Sequence, residues 1–263
     1  MRFVISPPWS KKIRTWRKFS RVVRSKDREL LLQLGRFSRP VLVAGCQRSG
    51  TTAVTRAIAG SDGFDRFRIT HDDELDAALI LSGEEDWNSA GRYCFQTTYL
   101  NERYFEYFQS KADFQLIWVL RNPYSVVYSM LYNWKQFALK ELFASCGYPV
   151  MQEMFKAGKP GRASLLEMAC YSYVGKMRQL FELRDKLPAD RLMVIDYDRL
   201  CEAPAVHLGH VLRFIDAEFQ PKVADAIHRA SLAKSECLSE DAHSRVQLIC
   251  ASLYDRASSY AQR

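Results

Sequence analysis

The sequence predicts an α/β protein of three layers, with a central parallel β-sheet between layers of helices. Three observations predict it. The runs Val41-Leu42-Val43-Ala44, Leu116-Ile117-Trp118-Val119-Leu120 and Leu192-Met193-Val194-Ile195 are short and wholly apolar, the profile of strands buried on both faces. Helical patterns alternate with these strands, as crossover connections between parallel strands require. Between the first run and its helix lies a loop bracketed by Gly45 and Gly50. A glycine-flanked turn into a helix N-terminus lets backbone N–H groups approach an anion closely.

Taken in order, residues 1–12 contain Pro7-Pro8 and read as irregular. A helix is expected from Lys11 to about Leu34, with Ile13, Trp16, Phe19 and Val22 or Val23 on one stripe and basic residues around it. After the first strand, Thr51 to Ala59 reads as a helix ending at Gly60. Phe64 to Thr70 alternates and is expected to be a second strand, running into His71-Asp72-Asp73-Glu74 and a helix through about Leu81. Arg92 to Thr97 is the next expected strand, followed by a short aromatic helix over Asn101–Phe108. The strand ending at Leu120 leads to Pro123 at a first helical turn, where its missing N–H costs nothing. Residues 141–161, with three glycines and two prolines, are expected to form an insertion over the sheet edge that serves as an acceptor lid. Arg162 to Lys186 carries Leu166, Ala169, Tyr173, Met177 and Leu180 at helical spacing and reads as a long core helix. Strand 192–195 is followed by a helix from Pro204 to Ile215. From Pro221 onward two helices are expected, joined by the polar stretch Lys234–His243.

Charge is unevenly placed. The chain of 263 residues carries a net charge of +8, yet residues 1–40 alone hold twelve Lys or Arg against two acids. The expected organisation is therefore a basic amphipathic arm over residues 1–37 and a catalytic domain over 38–263. The arm has two destinations: an anionic membrane surface or acidic partner reached through residues 11–34, or the domain itself, with Trp16 and Phe19 packed and the cations in water. A cationic arm alone supplies only salt-sensitive, non-specific nucleic-acid binding, so no specific nucleic-acid partner is expected. Seven scattered cysteines without a C-x-x-C pair predict reduced thiols in a cytoplasmic, at most membrane-peripheral, setting and no structural zinc. No apolar run approaches the roughly 20 residues of a membrane span.

The loop 45–50 is not a Walker A motif, because Thr51 stands where the lysine belongs and the cation is Arg48, three residues earlier. At the end of the strand Leu116–Leu120, a nucleotide triphosphatase would carry an Asp for magnesium; this chain has Arg121. An arginine leaving the carboxyl edge of a parallel sheet is placed to bind a second anion. Ser129, eight residues later, lies just over two helical turns along and on the same side.

Together these stretches resemble the sulfotransferases that use 3′-phosphoadenylyl sulfate (PAPS). Arg48-Ser49-Gly50-Thr51-Thr52 is similar to the family's 5′-phosphosulfate loop, and Arg121-Asn122-Pro123 with Ser129 to its 3′-phosphate motif. Val194-Ile195-Asp196-Tyr197-Asp198-Arg199-Leu200 is similar to the strand and "YEDL" segment that closes the family's core. The resemblance runs from about residue 40 to 216. It implies a P-loop-like sulfotransferase fold, PAPS as donor with 3′,5′-adenosine bisphosphate (PAP) as product, and no metal. It also implies donor contacts from Arg48, Ser49, Gly50, Thr51, Thr52, Arg121, Ser129 and Tyr197, with Arg48 facing the transferring sulfonate.

The attacking hydroxyl needs a general base. Cytosolic members use a His just after the third strand, where this chain reads Gln96-Thr97-Thr98. Carbohydrate and tyrosylprotein members use a carboxylate after the second strand, and this chain has His71-Asp72-Asp73-Glu74 there. The candidates are Glu74 and His71, then Asp73; the rival reading is a helix N-terminus capped by Asp72. By that resemblance alone the acceptor is a carbohydrate or glycolipid hydroxyl. Lys176, Arg213 and Lys234 read as surface cations, and His207, His210, His228 and His243 have no metal-ligand spacing. A nucleotide kinase is the alternative enzyme, and a non-catalytic module docking on membranes through the basic arm is the alternative outside enzymology.

Overall fold

The computed structural model describes residues 13, 15–70, 72–156, 164–227, 232 and 235–261. Residues 1–12, His71, Arg162, His228 and Lys234 lie outside them.

The chain opens with helix α1 (Trp16–Ser25), capped by the Thr15 hydroxyl on the Lys18 N–H. It ends well before Leu34 because Lys26 turns left-handed, and the N–H groups of Leu30 and Leu31 are taken by the Glu106 carboxylate instead of a helical carbonyl. Strand β1 (Val41–Gly45) leads to α2 (Thr51–Ala59), and α3 (Asp73–Leu81) follows with Asp72 as its cap. Next come β2 (Cys94–Gln96), a 3₁₀ turn over Leu100–Arg103, α4 (Phe105–Gln109) and β3 (Gln115–Leu120). Helix α5 (Pro123–Tyr132) starts at Pro123 with the Asn122 side chain accepting from the Ser125 N–H. After it run α6 (Gln136–Cys146), α7 (Pro149–Lys156) and the long α8 (Leu165–Lys186), which a Ser164–Glu167 capping box begins. Strand β4 (Leu192–Asp196), α9 (Tyr197–Glu202), α10 (Pro204–Phe214), a 3₁₀ turn over Pro221–Ala226 and α11 (Glu240–Ser258) complete the chain.

The sheet has the order β2-β1-β3-β4, and every pairing is parallel. Its period of two sends alternate residues to two cores. Leu42, Ala44, Leu116, Trp118, Leu120 and Val194 join the core under α1, α3, α5, α6, α8 and α11. Val41, Val43, Ile117, Val119, Met193 and Ile195 join the smaller core under α2, α9 and α10. Both faces are covered, as the apolar runs predicted.

Several expectations are corrected. Phe64–Thr70 is not a strand. Its alternation serves packing, with Phe67 stacked on Phe95 at 5.1 Å, while the Ile69 and Thr70 N–H groups bond to the Asp76 carboxylate rather than to a ladder. The described sheet therefore has four strands, not five. Within the expected insertion, residues 141–156 form the end of α6 and the whole of α7; 157–163 lie outside the described residues. Of the first expected tail helix, the described stretch Pro221–Ala226 is a 3₁₀ turn.

Candidate active site

Strand β1 ends at Gly45 with φ +151°, where an added Cβ would sit 2.5 Å from the Val119 carbonyl oxygen. The chain then turns through Cys46–Gly50 and enters α2. Gly50, at φ +102°, lies flat against the Tyr197 ring; a Cβ there would fall 2.3 Å from it. Between these two, Arg48 takes a left-handed conformation with φ +72°, a strained state for a non-glycine residue that concentrates at functional sites. Both polar atoms of the Gln47 side chain and the Ser49 hydroxyl are buried without a hydrogen-bond partner among the described residues. Buried polar groups are seldom left so, and these lie where an anion would rest. Cys46 is an inert loop residue: burial pushes its thiol up to about 12.

The second motif meets the first. Arg121 leaves the end of β3 almost fully buried, and its Nε pairs with the Asp198 carboxylate at 3.3 Å. Asp198 also accepts from the Asn122 backbone N–H at 3.0 Å and side-chain amide at 2.6 Å, so it fixes the whole Arg121-Asn122 turn. Arg121 donates to the Arg48 carbonyl oxygen at 3.4 Å and lies 5.2 Å from the centre of the Tyr197 ring. Arg48 in turn donates from Nε to the Ser129 hydroxyl at 3.1 Å. Desolvation and then the like charge of Arg121 lower the pKa of Arg48. Two cations held this close repel each other until an anion sits between or beside them.

Arg48, Gly50, Thr51, Thr52, Arg121, Ser129 and Tyr197 line one end of a cavity of about 1080 Å³. Ser49, fully buried, stands just behind that wall. The same cavity continues to Asp72, Asp73, Glu74, Gln96 and Thr98 and opens between Trp16, Tyr132, Trp134 and Phe137. Of the base candidates, His71 lies outside the described residues. Asp72 is spent as the α3 cap, with Oδ1 accepting from the Glu74 and Leu75 N–H groups. Asp73 pairs with Arg56 at 2.9 Å near solvent. Glu74 is different: only 5 % exposed, it reaches the cavity and accepts a hydrogen bond from the Tyr99 N–H. Burial is the largest influence on it and, with the Asp72 charge, outweighs the Tyr99 bond and pushes its pKa up to about 8.

Lys176 is not a surface cation. Its side chain is wholly buried, with Nζ 2.5 Å from the Glu102 carboxylate and donating to the Thr98 carbonyl oxygen at 2.7 Å. It thus pins the segment that follows β2 and carries Thr98 into the cavity wall. Arg213 is exposed, as expected, and among the described residues no group of three His, Cys, Asp or Glu is placed to hold a metal ion.

A family model described as "Sulfotransferase domain" matches residues 96–239. The chain belongs to the sulfotransferase family. The match takes in Arg121, Ser129 and Tyr197 and begins after the loop that holds Arg48. The sulfotransferase domain from the curacin biosynthetic pathway is 15% identical, with a TM-score of 0.53 over 85% of this chain and 97% of that one. Sulfotransferase STF9 from Mycobacterium avium is 11% identical, with a TM-score of 0.51 over 83% and 76%. At such identities the likeness concerns the fold. No curated protein sequence matches this sulfotransferase. Family membership replaces the kinase alternative: this is a transferase of sulfonate groups.

Residues that the motifs did not single out complete the site. Asp198 lay in plain view within the closing segment but had no assigned partner until β3 and β4 were adjacent. Trp16, Tyr132, Trp134 and Phe137 come from three separate helical regions, and only α1's stripe gave any signal.

Proposed function

We propose that this sulfotransferase takes PAPS as its donor and passes the sulfonate, without a metal, to a hydroxyl of a carbohydrate or glycolipid. The observation that carries the reading is one cavity with Arg48, Arg121 and Ser129 converging at one end and the buried Glu74 carboxyl on its wall. The residues fit such a donor: Gly50 leaves space that a Cβ would fill, and Gln47 and Ser49 present buried polar atoms that lack partners.

When bound, PAPS supplies the sulfonate and leaves as PAP. Arg121 and Ser129 would hold the 3′-phosphate, while Arg48, with Ser49, Thr51 and Thr52, would hold the 5′-phosphosulfate and carry the charge that develops on the departing phosphate. Tyr197 packs against Gly50 and forms a flat wall beside Arg121. Glu74 would take the proton of the acceptor hydroxyl as its oxygen bonds to sulfur and the opposite sulfur–oxygen bond breaks. A base with a pKa near 8 suits that task, because proton transfer is most efficient when pKa and working pH are close. The open end supports an acceptor with flat, weakly polar faces: Tyr132 is 64% and Phe137 36% exposed. The α1 cations Arg17, Arg21 and Arg24 are exposed, which is compatible with contact to an anionic membrane surface. The seven cysteines form no disulfide among the described residues, which favours a reducing, cytoplasmic setting.

Transfer of labelled sulfonate from PAPS to a panel of glycans, glycolipids and simple phenols, with and without chelator, tests the proposal. Turnover on sugar hydroxyls that survives the chelator is expected. Turnover on phenols alone would overturn the acceptor, and loss with chelator would overturn the metal-free step.

A further inference from the structure

The helix before the first strand does more than pack. Trp16 donates its indole N–H to Asp72 Oδ2 at 2.8 Å, while the other Asp72 oxygen caps the N–H groups of Glu74 and Leu75. The same ring stands 5.5 Å from Tyr99, whose backbone N–H is the hydrogen bond to the Glu74 carboxylate. Phe19 meets Tyr99 edge-on at 5.4 Å, and the Ser20 hydroxyl bonds to the Tyr99 hydroxyl at 2.7 Å. Helix α1 therefore grips Glu74 from two sides: through the start of α3 and through the segment after β2.

It also reaches the third wall of the open end. Glu141 of α6 accepts from Ser20 at 2.5 Å and pairs with Arg24 at 2.9 Å, and Arg17 lies over the ring of Phe137 at 5.3 Å. Trp16 itself lines the cavity.

We infer that Trp16 is a positioning residue for sulfonate transfer, holding Asp72 and Tyr99 so that Glu74 faces the acceptor hydroxyl. This rests on the reading of Glu74 as the base. The groups facing Glu74 are Asp72 from its own helix, Lys176 from α8 and Glu102 from the turn after β2, with Tyr107 of α4 nearby. Asp72 and Glu102 oppose the ionised form and Lys176 favours it. An indole N–H on Asp72 offsets part of the Asp72 charge, so removing it should make Glu74 harder to ionise. Removing the charge itself should do the reverse.

The test is the pH profile of kcat/KM for wild type, Trp16→Phe and Asp72→Asn, with PAP affinity measured on each. Phenylalanine keeps the ring in its stack and loses only the N–H; asparagine keeps an oxygen for the cap. The acid limb of the profile should move to higher pH in Trp16→Phe and to lower pH in Asp72→Asn, with PAP affinity within about twofold of wild type in both. An unmoved limb in Trp16→Phe, shifts of the same sign in the two variants, or a parallel fall in PAP affinity would overturn the inference. Glu74→Gln separates the layers of the argument. If it loses turnover at every pH while Trp16→Phe behaves as wild type, the positioning role fails and the base stands. If Glu74→Gln keeps wild-type turnover, the base itself fails.

Discussion

The two ends of the cavity are built on different principles. The donor end sits on the carboxyl edge of the sheet, where β1 and β3 are neighbours and the loops that follow them meet. Its geometry is fixed by backbone constraints: two glycines at positive φ, a strained Arg48 and a turn tied down by Asp198. The acceptor end is assembled from helix ends and aromatic rings contributed by α1, α3, α5 and α6, with Tyr132 and Phe137 exposed at its mouth. On the proposed reading, the donor is held by elements at the sheet edge, and the acceptor meets helices on one face of the sheet. The difference teaches where substitutions should alter binding and where they should alter chemistry.

The largest expected effect is at the meeting point. Glu74→Gln should lower kcat by about a thousandfold, within the usual range for loss of a general base, and leave PAP affinity unchanged. It should also alter stability with a defined sign. Because the pKa of Glu74 stands at about 8 in the folded chain against an ordinary 4.5, the folded state keeps a proton that the unfolded state has released between those values. Wild-type stability therefore falls as pH rises through that window, by at most roughly 1.4 kcal/mol per pH unit. Thermal melts at pH 5 and pH 8 should show a drop for wild type that Glu74→Gln lacks. An equal drop in both would mean that Glu74 is ionised as readily in the folded chain as in the unfolded one.

A smaller effect is expected at the donor end. Gly50→Ala combines a left-handed backbone with a clash against Tyr197, a strain of about 1–2 kcal/mol. It should weaken PAP binding about tenfold without changing acceptor KM in saturating donor. If acceptor KM moved instead, the division of the cavity would be wrong. The smallest effect belongs to the mouth. Phe137→Ala should raise acceptor KM about threefold to tenfold, the worth of one stacked aromatic ring, with PAP affinity constant in calorimetry.

The same contrast explains what was legible in the sequence. The meeting of the two motifs proposed to hold the donor could be read because each is local to a strand end: Gly45 to Thr52 and Arg121 to Ser129 each lie within ten residues. The strands could be read because Val41–Ala44, Leu116–Leu120 and Leu192–Ile195 are buried on both faces and admit no polar residue. Phe64–Thr70 misled because alternation reports which side chains are buried, not which backbone groups pair. Phe67 packs on Phe95 and Trp87, and the Ile69 and Thr70 N–H groups are taken by Asp76. Lys176 misled because a lysine in a helical pattern ordinarily faces water; its partner Glu102 lies 74 residues earlier and enters only through the fold. Trp16 carried half a signal: its stripe predicted burial, but nothing in the sequence paired it with Asp72.

The central claim is that the paired arginines at the sheet edge form the site of a bisphosphorylated donor. Calorimetric titration of wild type and Arg121→Ala with PAP, against ADP and Mg²⁺ as comparator, tests it most directly. The account predicts metal-independent binding of PAP in preference to Mg-ADP, weakened about tenfold to a hundredfold in Arg121→Ala, the cost of losing charged hydrogen bonds. Preference for Mg-ADP, or PAP binding indifferent to Arg121, would contradict it.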